Sequence, residues 1–220
     1  MIKYYIDGTD LQSLGINVSK SQGLFNLPKL KDPLKTTWPN RHGEIIELSD
    51  PIYDVREIEL DCSMKADSRL DFLVNLNNII YTRFYKPQLR ELKIELITGK
   101  PLFYYCYMPN GINMELATKW NTEAHVGKFK LSLIEPEPFK RVFRFNANEQ
   151  NSRQITLQYD PSPQFTVYWG DGSYNVITSG TQVNHQYQTD GTYYIALVGM
   201  INQINNFVTL PELELIWNLQ

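Results

Sequence analysis

Strict alternation of apolar and polar residues is the feature that most constrains this chain. Between Arg56 and Met64 every second residue is apolar. The apolar set is Ile58, Leu60, Cys62 and Met64, and the polar set is Glu57, Glu59, Asp61 and Ser63. A period of two places the two sets on opposite faces of a β-strand. The pattern therefore predicts a strand with one face on a core and an acidic outer face.

The same alternation recurs farther along the chain. Phe129, Leu131 and Leu133 alternate with Lys128, Lys130 and Ser132, and Leu92, Ile94 and Leu96 alternate with Lys93 and Glu95. The aromatic segment from Pro101 to Met108 leads into Pro109-Asn110-Gly111, which is a hairpin signal. These segments predict an antiparallel sheet that contains an acidic strand and a basic strand.

One amphipathic helix is predicted to begin at Ser68. Asp71, three residues later, suits a reciprocal N-terminal cap. Apolar residues follow at spacings of three and four: Leu70, Leu73, Val74, Leu76, Ile79 and Ile80. A face of this kind needs to be covered, so we expect the helix to lie on the sheet through these residues.

Residues 21–40 form an arm without helical or strand periodicity. Three prolines interrupt it, and its apolar residues are Leu24, Phe25, Leu27, Leu30, Leu34 and Trp38. A long structureless loop in a compact domain is uncommon unless it is functional or covers something. The apolar residues need a partner surface, either on the same domain or on a neighbouring subunit.

A change in the sequence pattern along the chain predicts two domains. The polar stretch at residues 146–153, NANEQNSR, is interpreted as a linker between a domain at residues 1–145 and a second at residues 154–220. Short strands separated by turn signals fill the second domain, which is typical of a small β-sandwich. The predicted fold class is mainly β (α+β): an antiparallel sheet or sandwich domain with one packed helix, followed by a small sandwich.

The residues offer no catalytic, cofactor-binding or metal-binding set. His42, His125 and His185 lie far apart without metal-ligand spacing, and Cys62 and Cys106 are predicted to be core residues. The segment Glu135-Pro136-Glu137-Pro138 is interpreted as a strand terminator rather than a pair of glycosidase carboxylates. We therefore expect a protein that is not an enzyme.

Composition and the distribution of charge exclude two further classes. The formal net charge is −3 and the basic residues are scattered, which argues against sequence-specific nucleic-acid binding. The start resembles no secretory signal, and no apolar run approaches the roughly 18 residues that a membrane span needs. We expect a soluble chain, made in a cytoplasm, that does not insert into a membrane.

Trp169-Gly170-Asp171-Gly172-Ser173 is the sharpest local motif. It predicts a tight turn in which Asp171 bonds to following amides, with a calcium site as the less favoured alternative. Gly191-Thr192-Tyr193 predicts a tyrosine corner, in which the phenol bonds back to an upstream loop.

These motifs in series resemble PKD-type domains, which are small immunoglobulin-like sandwiches. After the WGDGS motif come His185-Gln186-Tyr187 and then Gly191-Thr192-Tyr193, and the match covers Gln154 to Leu219. The chain lacks the usual extra residues before Gly-Asp-Gly, so PKD-like is the appropriate term. The resemblance implies an adhesive or spacer module.

The part from Met1 to about Phe145 resembles the N-terminal domain of phage distal tail proteins. The segments that carry the resemblance are, in order, YYIDGTDL, INVS, the arm ending PNRHG, REIELDCSM, DSRLDFLVNLNNII and GKFKLSLIEPEPFKR. The resemblance implies a homohexameric ring, the hub of a baseplate, between the tail tube and the tail-tip proteins. It also implies assembly through the sheet and the arm, passage of DNA through the lumen without specific binding, and no catalysis.

Two functions remain in view at this point. The first is a ring-forming adaptor of a phage or prophage tail, located in the virion tail, with an interface predicted at Leu27, Leu30, Leu34, Trp38 and Arg41. The alternative is a glycan- or cell-surface-binding sandwich in which Tyr168, Trp169 and Tyr174 present a stacking face. An enzyme is the least favoured of the classes considered.

Overall fold

The computed structural model describes residues 2–116, 125–151, 153–160 and 164–219 of the chain. The chain divides into two compact units, Met1–Pro136 and Glu137–Gln220. The predicted fold class is confirmed, because antiparallel sheets dominate and one α-helix accompanies them in the described residues. Within the same ranges, each helix is too short or too polar to cross a membrane.

The first unit contains two four-stranded antiparallel sheets and a two-stranded ribbon. Its strands are β1 (Lys3–Ile6), β2 (Thr9–Asp10), β3 (Ile16–Gln22), β4 (Lys35–Thr36), β5 (Ile45–Ile46), β6 (Arg56–Ala66), β7 (Arg90–Glu95), β8 (Leu102–Cys106), β9 (Met114–Leu116) and β10 (His125–Glu135). The first sheet has the order β2-β1-β7-β8, the second has the order β3-β6-β10-β9, and β4 pairs with β5.

The predicted alternation holds along β6 and β10. The predicted apolar residues of both strands are buried, and the register pairs Leu60 with Leu131 and Asp61 with Lys130. On the outer face the Lys130 ammonium lies 3.0 Å from the Glu59 carboxylate. In β7 the alternation ends at Glu95, so Leu96 lies beyond the strand and is exposed.

Helix α1 (Arg69–Asn77) begins where the sequence predicted. The Ser68 hydroxyl oxygen accepts the Asp71 backbone N–H at 3.0 Å, and the same hydroxyl donates to the Asp71 carboxylate at 2.6 Å. A π-helical turn, Asn78–Phe84, continues the helix. A 3₁₀ turn, Leu11–Leu14, precedes β3 in the same unit.

The expected orientation of the helix is correct only in part. Ile79 faces the core as predicted, together with Phe72, whereas Leu70, Leu73 and Val74 are exposed. The physical reason lies on β10, where Gly127 has no side chain: an added Cβ there would approach the Phe72 ring to 2.9 Å. Phe72 occupies that space and fixes which face of α1 points inward.

The second unit is a sandwich of a five-stranded and a three-stranded antiparallel sheet. Its strands are β11 (Lys140–Ala147), β12 (Gln154–Gln158), β13 (Phe165–Tyr168), β14 (Tyr174–Ile177), β15 (Gln182–Gln186), β16 (Gly191–Gly199), β17 (Val208–Leu210) and β18 (Glu214–Leu219). The sheet orders are β14-β13-β16-β11-β18 and β15-β12-β17. The 3₁₀ turns are Glu149–Asn151 and Ile201–Gln203. Side chains from both sheets, such as Phe165 and Leu157, share one core.

The division between the units precedes the predicted linker. It falls after Pro136, and β11 belongs to the second unit because it pairs with β16 and β18. The predicted linker therefore lies inside that unit, where it begins with the last two residues of β11. Two reciprocal hydrogen bonds follow the strand. The Asn148 backbone N–H donates to Asn151 Oδ1 at 3.0 Å, and the Asn151 backbone N–H donates to Asn148 Oδ1 at 3.1 Å.

Candidate functional site

The predicted arm is one half of a long hairpin. It leaves β3 at Gly23 and returns at Arg56, so we define the arm as residues 23–55. The two halves meet in a bridge between Leu30 and Tyr53. Lys31 N–H donates to the Ile52 carbonyl at 2.8 Å, Asp54 N–H donates to the Lys29 carbonyl at 2.7 Å, and β4 and β5 pair farther out. The sequence predicted a long loop or an extended arm over residues 21–40, and the structure shows an extended arm. Its pairing partner, which was not predicted, lies in the segment that follows.

The arm is notable for the large apolar side chains that it leaves in water. They are Phe25, Leu27, Leu34, Trp38, Ile45, Ile46, Leu48 and Ile52. Leu34 is 75% exposed and Trp38 is 59% exposed. Large apolar side chains left in water in this number on one hairpin point to an interaction site. The arm is therefore the candidate functional site of this chain.

The five predicted interface residues differ in their exposure to solvent. Leu27, Leu34, Trp38 and Arg41 are exposed on the arm. Leu30 is half-buried, because it takes part in the bridge to the returning half of the arm. Sequence reasoning missed the apolar residues of the returning half, Ile45 to Ile52, which stand in the same segment as the acidic Glu44, Glu47 and Asp50.

The base of the arm is fixed by two close contacts of the backbone. Gly23 has φ +82°, and a Cβ at this position would lie 1.9 Å from the Glu57 carbonyl oxygen. Only glycine fits such a conformation and such an approach without displacing backbone. Leu24, the next residue, is buried.

A buried polar cluster, here called the root cluster, joins the two ends of the arm. It consists of Leu24, Arg56, Tyr104 and Glu135. The Leu24 carbonyl accepts from Arg56 Nη1 at 2.8 Å and from the Tyr104 hydroxyl at 2.8 Å. Arg56 Nε lies 3.0 Å from Glu135 Oε2, and both side chains are almost fully buried.

Electrostatics hold the root cluster together. Burial raises the pKa of Tyr104, so its hydroxyl stays a neutral donor at all ordinary pH values. The other Glu135 oxygen accepts the Tyr105 backbone N–H at 3.4 Å. Glu135, interpreted from the sequence as part of a strand terminator, ends β10 but is also the counter-ion of Arg56. Removing either partner would leave an uncompensated charge in the core.

The histidines and cysteines do not gather into a site. His42 is exposed on the arm, His125 is buried at the start of β10, and His185 contacts Asp171. Both cysteines are free and buried. No group of three or more His, Cys, Asp or Glu side chains in the described residues is placed to hold a metal ion.

The WGDGS segment forms the predicted turn in the second unit. The Ser173 backbone N–H donates to Asp171 Oδ1 at 2.9 Å, and His185 Nε2 lies 2.8 Å from Asp171 Oδ2. Burial pushes the pKa of Asp171 upward, but the hydrogen bonds from Ser173 and His185 outweigh burial and lower the pKa. The carboxylate is therefore committed to the turn and to His185.

The predicted tyrosine corner is also confirmed. The Tyr193 hydroxyl donates to the Thr189 carbonyl at 3.1 Å, and the Tyr187 hydroxyl donates to the Trp169 carbonyl at 2.8 Å. These bonds tie the start of β16 and the end of β13 to neighbouring loops.

The predicted stacking face for glycans is corrected by the burial of Trp169. Its exposed fraction is 0%, its ring stacks on His185 with the centroids 4.5 Å apart, and its indole N–H donates to Asn175 Oδ1 at 2.7 Å. Tyr168 and Tyr174 lie beside each other with ring centroids 5.8 Å apart. The tryptophan that would give a sugar platform its largest surface belongs to the core.

Comparisons with known proteins do not assign the chain to a family. No protein-family model matches the chain, and no curated protein matches it. Among solved structures, the crystal structure of the Dit protein (gp 19.1) of phage SPP1, described as a paradigm of the hub adsorption apparatus in phages that infect Gram-positive bacteria, matches with a TM-score of 0.43. The sequence identity is 14%, over 96% of this chain and 84% of that chain.

Proposed function

We propose that this chain is a non-catalytic structural subunit of a phage or prophage tail, which forms a ring and joins the tail tube to the tail tip. The observation that carries the proposal is the arm, a fixed hairpin with large apolar side chains in water. The order of sequence segments that resembles the distal tail proteins supplies the biological setting. A structural subunit needs such a surface, whereas an isolated monomer gains nothing from it.

The exposed area is large enough for a stable contact. The eight large apolar side chains of the arm are each exposed by about 40% or more. Together they expose on the order of 800 Å², which is the area that one partner contributes to an interface of standard size. Burying that area against a neighbour would remove the cost of exposing it to water.

The root cluster supports the same function. Binding costs free energy when a loose segment must be ordered, and a segment that is already fixed avoids much of that cost. Arg56 and Glu135 hold the two ends of the arm together before any partner arrives. The arm is thus prepared for assembly by contacts inside its own unit.

The remaining parts of the proposal follow from the resemblance. We propose a homohexamer in the virion tail, with the subunit made in the host cytoplasm and contacts to tube and tip proteins on either side. DNA passes through the lumen without specific binding, and the formal net charge of −3 with scattered basic residues suits a wall that does not retain phosphates. The second unit is proposed to be a PKD-like spacer at the periphery.

The test is the solution mass of the purified chain by light scattering, with negative-stain electron microscopy of the same sample. The proposal expects a closed oligomer with a central channel. It also expects Leu34→Ser combined with Trp38→Ser to yield monomers with an unchanged circular dichroism spectrum, since both side chains are exposed. A wild-type chain that stays monomeric over a wide concentration range would overturn the ring.

A further inference from the structure

We infer that the outer face of α1 is the surface that receives the arm of a second copy of this chain. This inference rests on the proposed ring and deepens it, because it names the surface that the arm contacts. The outer face carries an apolar groove of about 500 Å³ that is open to solvent. Its lining residues are Leu73, Val74, Leu76, Asn77, Ile80 and Tyr81.

The groove is a strip of helix that the described residues of its own chain leave uncovered. Leu73, Val74 and Tyr81 are exposed by 58%, 47% and 61%. The helical period predicted that these apolar residues need cover, yet the core takes up Ile79 and Phe72 and leaves Leu73 and Val74 exposed. The lining contains no charged side chain, so it suits an apolar occupant.

The arm of the same subunit does not fill the groove. Leu34 and Trp38 of the arm are mostly exposed. Leu73, Val74 and Tyr81 of the groove are exposed as well, although both surfaces belong to the first unit. The arm and the groove are both apolar, and they do not cover each other within one subunit. They can therefore cover each other only when the arm of one copy contacts the groove of another. The arm exposes on the order of 800 Å², which is what one partner contributes to a stable interface, so a second copy supplies enough area.

Trp38 is the side chain best suited to enter the groove. Tryptophan is enriched among the residues that dominate binding energy, and its indole N–H needs an acceptor once it is buried. Asn77 in the lining carries an amide oxygen that can accept such a bond. The groove thus offers apolar walls for the ring and an acceptor for the N–H.

A contact between arm and groove joins two different surfaces, and this determines what it can build. Such a heterologous contact repeats from copy to copy and produces a ring when the rotation closes. A contact of groove with groove would give only a dimer and leave every arm exposed. The arm-to-groove pairing uses both surfaces once in each subunit.

The test uses two full-length variants that each lack one half of the contact. The arm variant carries Leu34→Ser and Trp38→Ser, and the groove variant carries Val74→Asp. Val208→Asp is the matched control, because Val208 is 48% exposed in the second unit and Val74 is 47% exposed. Masses are measured by light scattering for each variant alone and for an equimolar mixture.

The inference expects the arm variant and the groove variant to be monomers, with the control retaining the wild-type mass. In the mixture the intact arm of one variant meets the intact groove of the other, so a one-to-one complex forms. That complex also shows that both variants are folded. Changing Asn77→Leu is expected to weaken the wild-type assembly about 10-fold, since a buried indole N–H would lose its acceptor.

Three results would overturn the inference. A groove variant that keeps the wild-type mass removes the groove from the interface and leaves the ring proposal standing. Two monomeric variants that form no complex on mixing show that arm and groove are not partners. A monomeric wild-type chain overturns the ring, and the inference falls with it.

Discussion

Trp38 and Trp169 show how differently the two units treat the same kind of side chain. Trp38 is 59% exposed on the arm, whereas Trp169 has an exposed fraction of 0%. Trp169 directly follows β13, a strand with regular alternation. Its ring stacks on His185, and Asn175 accepts its indole N–H. Trp38 stands among prolines without periodicity. For these two side chains, the tryptophan that follows a regular strand pattern is covered by its own chain, and the tryptophan outside any pattern is left in water.

The largest expected effect would come from exchanging each tryptophan for alanine. Trp169→Ala is expected to lower the free energy of unfolding of the second unit by about 4 kcal/mol, because a fully buried ring leaves a cavity. Trp38→Ala is expected to change the free energy of unfolding of the monomer by less than about 0.5 kcal/mol. Hydrogen exchange measured by mass spectrometry reports each unit separately. Equal losses of unfolding free energy from the two substitutions would contradict the contrast between Trp38 and Trp169.

The second effect concerns the root cluster of the arm. Arg56→Met is expected to destabilise the first unit by about 3 kcal/mol, because the Glu135 carboxylate stays buried without its counter-ion. The backbone amide of Lys31, which is paired inside the arm, should lose protection from hydrogen exchange. Arg144→Met is the control, since its partner Glu214 is half-exposed and the pair should contribute less than about 1 kcal/mol. Similar losses from both substitutions would contradict the role assigned to the root cluster.

The third expected effect is a pH dependence of the stability of the first unit. Burial raises the pKa of Glu91 to about 7, with Lys93 opposing and Asp7 adding to the shift. The folded first unit therefore disfavours the charged form, and its stability falls as pH rises from about 4.5 to about 7, by roughly 3 kcal/mol. Glu91→Gln should remove this dependence. A stability of the first unit that is flat over this range in the wild type would contradict the prediction.

The smallest expected effect is a pH dependence of the stability of the second unit. Its sign is opposite to that of the first unit, because the second unit loses stability as pH falls. Hydrogen bonds from Ser173 and His185 overcome the effect of burial and lower the pKa of Asp171. The stabilisation is present above the ordinary carboxyl pKa and is lost as pH falls below about 4. Acid titration followed by hydrogen exchange should show the second unit losing protection in this range. Asp171→Asn should abolish the acid-dependent part, and an unchanged titration in that variant would assign the loss to another group.

Local patterns allowed much of the fold to be predicted. The alternation in Arg56 to Met64, the cap at Ser68, the turn at Asp171 and the corner at Tyr193 all depend on residues close together in sequence. In each case the interaction that decides the structure is made by side chains whose order is visible in the chain. These are the parts of the molecule that the structure confirms.

Features that depend on distant partners could not be predicted. The pairing of Leu30 with Tyr53, the ion pair of Arg56 with Glu135 and the fit of Phe72 against Gly127 join segments separated by 23 residues or more. The boundary was placed late for the same reason, because β11 pairs with strands near the end of the chain. For the candidate site, the sequence identified half of the apolar surface but neither its hairpin form nor the cluster at its base.

The contacts at the base of the arm would allow the rest of the hairpin to be exchanged. Gly23 and Arg56 close the sheet side of the hairpin through contacts to Glu57, Leu24 and Glu135, none of which involves the outer part of the arm. Length and side chains beyond the base can therefore change while the scaffold below keeps its fold. A related subunit could acquire a new neighbour by exchanging this insert alone, and an engineer could graft a foreign hairpin between the same two residues.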